Sequence, residues 1–154
     1  MSTLGRVTLL AMIPVNLLMV LWVWMGRIVF GVGGWFLFIL LVSVVPILLV
    51  ALLITTILAW TQEGQPRALT TFQAWAQLFT WLALFLAGAF CPDFGDAPDS
   101  ESSVLTQAFG QSRHLIDLSY NLTLTFLGAA MVAYLVLFFA LVFGRREPEG
   151  TMAR

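Results

Sequence analysis

The chain has 154 residues and a formal net charge of −1, and 60% of its residues are hydrophobic while only 10% are charged. Soluble domains carry about 25% charged residues, so a soluble fold of this size would lack the polar surface to cover its apolar side chains. The small net charge also argues against a protein that binds nucleic acid through a basic face. The composition therefore predicts an all-α integral membrane protein.

Four apolar segments are long enough to cross a membrane, for which a helix needs about 20 mostly apolar residues. They run from about 7 to 29, 35 to 60, 72 to 90 and 120 to 143, and predict a single four-helix transmembrane domain over 1–154. The breaks between them are GVGG at 31–34, TQEGQPR at 61–67 and an acidic loop at 91–119. The first segment is too long for a signal peptide and no A-x-A site follows, so we expect a retained helix.

The arginines predict the orientation, because cytoplasmic loops carry an excess of basic residues. If the four helices alternate, Arg27 and Arg113 lie on one side and five arginines lie on the other, namely Arg6, Arg67, Arg145, Arg146 and Arg154. The absence of lysine is typical of a GC-rich, bacterial coding sequence. We therefore expect a multi-pass protein of the bacterial plasma membrane, with both termini and the tail 144–154 cytoplasmic and the loop 91–119 facing outward.

Two stripes of small or weakly polar side chains predict helix contacts, which in lipid depend on close packing and hydrogen bonds. Their members recur at intervals of three or four residues, which places each stripe on one helix face. We expect the stripes to line the contact between the third and fourth spans, or a contact with another protein. They consist of Ala76, Thr80, Ala83 and Ala87 in the third span and Asn121, Thr125, Ala129 and Ala133 in the fourth.

Asn16 is a strongly polar side chain near the middle of the first span. An unpaired amide in hydrocarbon is costly, so Asn16 should face other helices and make a structural hydrogen bond there in preference to binding a ligand. Trp81 and Tyr134 also lie deep in their spans, and we expect each to pack against a neighbour or find a polar partner.

The spans offer little chemistry. No Asp, Glu, Lys or His lies in the central part of any span, which argues against a proton-driven transporter. The single histidine, His114, excludes haem held by two histidines, and with Cys91 it would make an unusual zinc site. A catalytic thiol at Cys91 would need a basic partner such as His114, and we favour an inert cysteine. We therefore expect no catalytic residue, no metal and no cofactor.

The acidic loop is the main candidate for interaction. It could gather oxygen ligands for Ca²⁺, but its spacing does not match an EF-hand. The plainer interpretation is a solvated loop, and a third is a surface that binds a positively charged partner. The interaction candidates are Asp93, Asp96, Asp99, Glu101, Arg113 and Asp117.

The second half of this loop predicts a short amphipathic helix on the outer membrane surface. Asp99 or Ser100 can cap such a helix. Its apolar face would consist of Val104, Leu105, Ala108 and Phe109.

In layout the chain resembles the small four-helix accessory subunits of actinobacterial respiratory supercomplexes, which join a cytochrome bcc complex to an aa3 oxidase. The resemblance covers the whole chain and rests on size, four spans, inward termini and an outward acidic segment after the third span. It implies a non-catalytic association factor of the electron transport chain whose partners are membrane lipid and other integral membrane proteins in a hetero-oligomeric complex.

Two alternatives belong to other classes. A small homo-oligomeric channel or facilitator would need a polar pore face, for which Asn16, Ser43, Thr55, Thr80 and Thr125 are candidates. A membrane enzyme would need Cys91, His114 and the loop carboxylates to form a site, and it ranks last.

Overall fold

The computed structural model describes residues 3–62, 67–97 and 100–144. Within these ranges the chain is helical: α1 (Thr3–Met25), a 3₁₀ turn (Gly26–Phe30), α2 (Phe36–Val42), α3 (Val44–Thr61), α4 (Thr71–Phe90), α5 (Val104–Phe109) and α6 (Arg113–Phe143). Four helical segments there are long and apolar enough to cross a membrane, which confirms the predicted class and number of spans. Asp99 and the three arginines of the tail, which entered the predictions above, lie outside the described residues.

Helix α4 lies at the centre of the bundle. It packs against α1 and α6, while α3 packs against α1 and less extensively against α6. In their most apolar stretches, 56% of the α4 residues are buried but only 17% of those in α6. Small side chains let helix backbones approach closely, and at Gly88 an added Cβ would lie 3.0 Å from the Cα of Val23 in α1.

The second span is interrupted rather than continuous. Helix α2 ends at Val42 and α3 begins after Ser43, just where the ring of Pro46 would meet the carbonyl four residues earlier and offers no N–H to it. The Ser43 hydroxyl donates to the carbonyl of Ile39 at 2.6 Å. Pro14, by contrast, lies within an uninterrupted α1. No residue of α2 is buried, so this half of the second span is exposed on the surface of the protein.

Helix α6, which contains the fourth span, begins at Arg113, several residues before the predicted start of that span at 120. Its 31 residues extend about 46 Å at 1.5 Å per residue, whereas the hydrocarbon core of a bilayer is about 30 Å thick. The first turns carry Arg113, His114 and Asp117. Hydropathy marks only the part of a helix that suits lipid, while backbone hydrogen bonds continue the helix past it. The connection after α4 therefore shortens to 91–112.

The bundle has two ends, which we name by their contents. The loop end holds the 3₁₀ turn, the connection 91–112 and the start of α6. The terminal end holds the starts of α1 and α4 and the ends of α3 and α6. At the terminal end, Thr70 and Gln73 form a capping box that begins α4, and Nε2 of Gln73 donates to the carbonyl of Ala140 at 2.9 Å. Nε2 of Gln62 donates to Leu141 O at 3.1 Å, so side-chain amides join three helices there.

Candidate functional site

Among the described residues, the structure separates the acidic interaction candidates at the loop end into one that is buried and others that reach the surface. Asp93 is completely buried, with 0% of its surface exposed. Asp96 and Asp117 are exposed, and Glu101 is half-buried. Arg113, the basic member of the same set, is exposed as well. Asp93 is therefore unavailable as a docking residue, and its interaction role is corrected to a role inside the protein.

Asp93 forms a buried ion pair with Arg27 of the 3₁₀ turn. Nε of Arg27 donates to Oδ2 of Asp93 at 3.1 Å, and neither side chain is exposed. The other carboxylate oxygen, Oδ1, accepts the backbone N–H groups of Phe36 and Phe94, each at 2.9 Å. One carboxylate thereby ties together the 3₁₀ turn, the start of α2 and the chain after α4.

The chain reaches this geometry through small residues and paired backbone. The 3₁₀ turn is capped by Gly31, whose φ of 75° lies in the left-handed region that favours glycine. An added Cβ at Gly34 would lie 2.2 Å from the carbonyl oxygen of Phe94, so only glycine permits this approach. Asp93 and Ser102 exchange two backbone hydrogen bonds of 2.8 Å. These contacts of the glycines and of the paired backbone fix the position of the Asp93 carboxylate.

Helix α5 follows directly and lies against α6, the 3₁₀ turn and α4. Its cap is Ser103, which forms a capping box with Thr106, rather than the predicted Asp99 or Ser100. The buried residue of α5 is Thr106, whereas Ala108 and Phe109 are exposed. The capping hydrogen bonds turn Thr106 inward, and the expected position of this helix on the outer membrane surface stays a prediction.

The ion pair lies near one boundary of the apolar layer. Between Arg6 and Arg27 the chain rises about 31 Å at about 1.5 Å per residue, close to the roughly 30 Å of a hydrocarbon core. At this depth, the charged groups of Arg27 and Asp93 would reach water if the two side chains lay on the surface of the protein. Here they are enclosed by the protein, and mutual pairing offsets only part of the cost of removing them from water.

Cys91 is also buried at this end of the bundle. Burial raises the pKa of the Cys91 thiol; the nearby Arg27 lowers it and Asp93 raises it, both by less than burial does. A protonated, enclosed thiol is a poor nucleophile. His114, which would have to serve as its base, is exposed on the first turn of α6. The geometry therefore offers no support for the proposed thiol enzyme.

A second polar cluster lies in the middle of the bundle, around Asn16 of α1. Its Nδ2 donates to Oγ1 of Thr56 in α3 at 2.9 Å, and its Oδ1 accepts from Nε1 of Trp81 in α4 at 2.7 Å. Nε2 of Gln77 also approaches Oδ1, at 3.4 Å. Asn16 thus hydrogen-bonds to two other helices. The polar partner expected for Trp81 is confirmed, as is that of Tyr134, whose hydroxyl donates to Ala51 O at 3.1 Å.

The two predicted packing stripes lie in different environments. All four residues of the α4 stripe are buried, namely Ala76, Thr80, Ala83 and Ala87. On α6, Asn121, Thr125 and Ala129 are exposed and Ala133 is half-buried. The face of α6 that is buried in this chain instead carries Ile116, Ser119, Thr123, Ala130, Leu137 and Leu141. The α6 stripe is therefore largely exposed in this chain. Its expected contact with another protein stays a prediction.

An open apolar groove of about 590 Å³ runs between α4 and α6 beside this stripe. Small residues from both helices contribute to its lining, with aromatic rings along it. The small members are Ala76, Ala83, Gly128, Ala129 and Ala133. Through Ala129 and Ala133, the α6 stripe therefore continues into an open concave surface between α4 and α6.

The five side chains considered for a pore do not share a surface. Asn16, Thr55 and Thr80 are buried inside the bundle of one chain, whereas Ser43 and Thr125 are exposed. In the part of the chain that the structure describes, no three His, Cys, Asp or Glu residues lie close enough together to hold a metal ion. The calcium site considered for the acidic loop thus receives no support from these residues.

Comparison with known proteins gives no relative to argue from: no family model matches the chain, and neither a curated protein nor a solved structure does.

Sequence reasoning missed Arg27 and Gln77 as site residues. Arg27 contributed only to the charge count for orientation, because an arginine at the end of an apolar span ordinarily extends to the membrane interface, and no local signal marks its buried partner. Gln77 lies within the predicted third span and is fully buried, so its amide needed a partner just as that of Asn16 did.

Proposed function

We propose that the protein is a non-catalytic accessory or assembly subunit that binds other integral membrane proteins in a hetero-oligomeric complex. The observation that carries this proposal is the exposed stripe on α6. Asn121, Thr125 and Ala129 follow one another at intervals of four residues and are exposed on the surface of the chain. Small and weakly polar side chains mark sites where membrane helices approach each other closely.

Two further surfaces suit lateral assembly. The groove beside the stripe is apolar and open along α4 and α6, so a partner helix could pack its side chains into it. Helix α2 has no buried residue, and Phe38 and Val42 are 64% and 79% exposed. Exposed apolar side chains are ordinary in lipid, so these surfaces support the proposal less strongly than the polar stripe does.

The environment of the complex is part of the same proposal. With both termini cytoplasmic, as the arginine distribution favours, the loop end faces outward from a bacterial plasma membrane. Asp96, Glu101 and Asp117 then present negative charge on that side, which would attract a positively charged protein or domain. A respiratory supercomplex, in which cytochrome c groups work on the outward side, is the candidate assembly that the layout resemblance favours.

The test is affinity purification of the tagged protein from its native membrane in a mild detergent, followed by native gels and mass spectrometry. We expect the protein in an assembly of several hundred kilodaltons that contains haem proteins. Migration alone would contradict the proposal. A homo-oligomer with ion or solute flux in liposomes would replace it with the channel alternative.

A matched pair of variants locates the contact. Ala129→Phe places a ring on the stripe, and we expect it to reduce recovery of the partners at least about tenfold, since a lost close contact of 1.4 kcal/mol or more changes an equilibrium by that factor. Met131→Phe is the control, because Met131 is 62% exposed and lies outside the groove lining. Equal recovery with both variants would place the interface elsewhere.

A further inference from the structure

The guanidinium of Arg27 has more hydrogen-bond donors than the protein has acceptors for it. Its Nε donates to Asp93. Nη1 and Nη2 carry two N–H groups each, are buried, and have no hydrogen-bond partner among the residues that the structure describes. A buried donor without an acceptor is costly, and more so when it is charged. One charged guanidinium therefore holds four N–H groups in the interior that have no acceptor within the described residues.

The neighbouring side chains of the protein are not available as acceptors for Nη1 and Nη2 of Arg27. Oδ1 of Asp93 already accepts two backbone N–H groups, from Phe36 and Phe94. The Cys91 thiol is kept protonated, since burial raises its pKa, so it supplies no thiolate to pair with Arg27. Thr106 and Ser103, which are buried in the adjacent cap of α5, are engaged with each other in the capping box.

The charge balance selects among external acceptors. Arg27 and Asp93 neutralise each other, so an anion at Nη1 or Nη2 would add an unbalanced negative charge next to Asp93 in an enclosed region. Removing such a charge from water is unfavourable without a further cation, and no second cation pairs with this site within the described residues. A neutral acceptor carries no such penalty. Water is the small neutral acceptor that commonly completes the hydrogen bonds of buried polar groups.

We propose that Arg27 binds ordered water through Nη1 and Nη2, in an enclosed hydration site between the 3₁₀ turn, the end of α4 and α5. The water completes the ion pair and holds the plane of the guanidinium. The site is specific for arginine, because a lysine would keep the charge but would present a compact ammonium in place of the planar fork. The proposal does not depend on the function proposed above.

The first test is solid-state NMR on the full chain in lipid bilayers with ¹⁵N-labelled arginine. Magnetisation is transferred from water to the Nη groups at a pH and temperature where exchange of these protons with solvent is quenched. The Arg27 signals are those that vanish in Arg27→Lys, or that shift in Asp93→Glu if the first variant does not fold. We expect transfer from water to Arg27 at least half as fast as to the exposed Arg113. Contacts from these Nη protons to protein carbonyls, with no transfer from water, would overturn the proposal.

The second test separates water from a halide or other anion. Thermal unfolding of the wild type is followed in sodium chloride, sodium bromide and sodium gluconate at one ionic strength. A ligand that binds only the native state raises the unfolding temperature with its concentration. We expect the same midpoint in all three salts. A midpoint that rises with the chloride or bromide concentration, and is lost on replacement by gluconate, would assign the site to an anion and refute bound water.

Discussion

Removing one charge of the Arg27–Asp93 pair should destabilise the protein more than removing both. Asp93→Asn retains an oxygen for the two backbone N–H groups but leaves a buried guanidinium without a counter-charge. Breaking a buried pair in this way costs about 3–5 kcal/mol, and we expect the upper half of that range because Nη1 and Nη2 of Arg27 have no acceptor among the described residues of the protein.

The opposite variant should cost less. Arg27→Met leaves the Asp93 carboxylate with the N–H groups of Phe36 and Phe94, both at 2.9 Å. Hydrogen bonds to a charged group are worth about 1.5–3 kcal/mol each, so this anion stays partly compensated, and we expect about 3 kcal/mol, the lower limit for a broken pair. The double variant removes both charges and keeps the backbone hydrogen bonds, so it should lie within about 2 kcal/mol of the wild type, since a buried pair can often be replaced at little cost.

The assay is reversible unfolding by sodium dodecyl sulfate in mixed micelles, followed by tryptophan fluorescence. The double-mutant cycle gives the interaction free energy of the pair. Asp117→Asn is the matched control, because Asp117 is an exposed carboxylate of the same end of the protein and its loss should leave the midpoint unchanged. Additive effects of Arg27→Met and Asp93→Asn, or a double variant less stable than either single one, would show that the charges do not depend on each other.

Three further outcomes are expected. Gly34→Ala should destabilise the loop end, since its Cβ would lie 2.2 Å from Phe94 O, whereas Gly33→Ala, whose Cβ would meet nothing nearer than 3.7 Å, should be tolerated; equal unfolding midpoints would contradict this. Asn16→Leu should lower the unfolding free energy by about 1–3 kcal/mol, because it leaves buried groups unpaired, and a more stable variant would mean that they find other partners. Burial raises the pKa of the Cys91 thiol, so as pH rises the thiol ionises in the unfolded chain before it does in the folded protein. Stability should therefore fall as pH rises above the ordinary thiol pKa. Unfolding midpoints at pH 7 and pH 9.5 check this, and Cys91→Ala should remove that part of the pH dependence.

The sequence alone determined the class of the protein and its four spans. Each span follows from a local property, an uninterrupted run of apolar residues long enough to cross hydrocarbon. The sequence predicted the ends of the helices less accurately. The break at Ser43 depends on how one proline ring meets a preceding carbonyl, and the start of α6 at Arg113 lies in polar sequence that hydropathy does not mark.

Only the tertiary structure decided which polar residues belong to the interior. Arg27 and Asp93 are 66 positions apart, and Asn16 and Gln77 are 61 apart, so no local pattern relates them. In the sequence Asp93 and Asp96 are equivalent members of one acidic loop, yet one is enclosed and the other is exposed. The physical reason is that burial of a charge depends on a partner and on backbone donors brought from elsewhere in the chain, and only the packing of the helices brings those groups together.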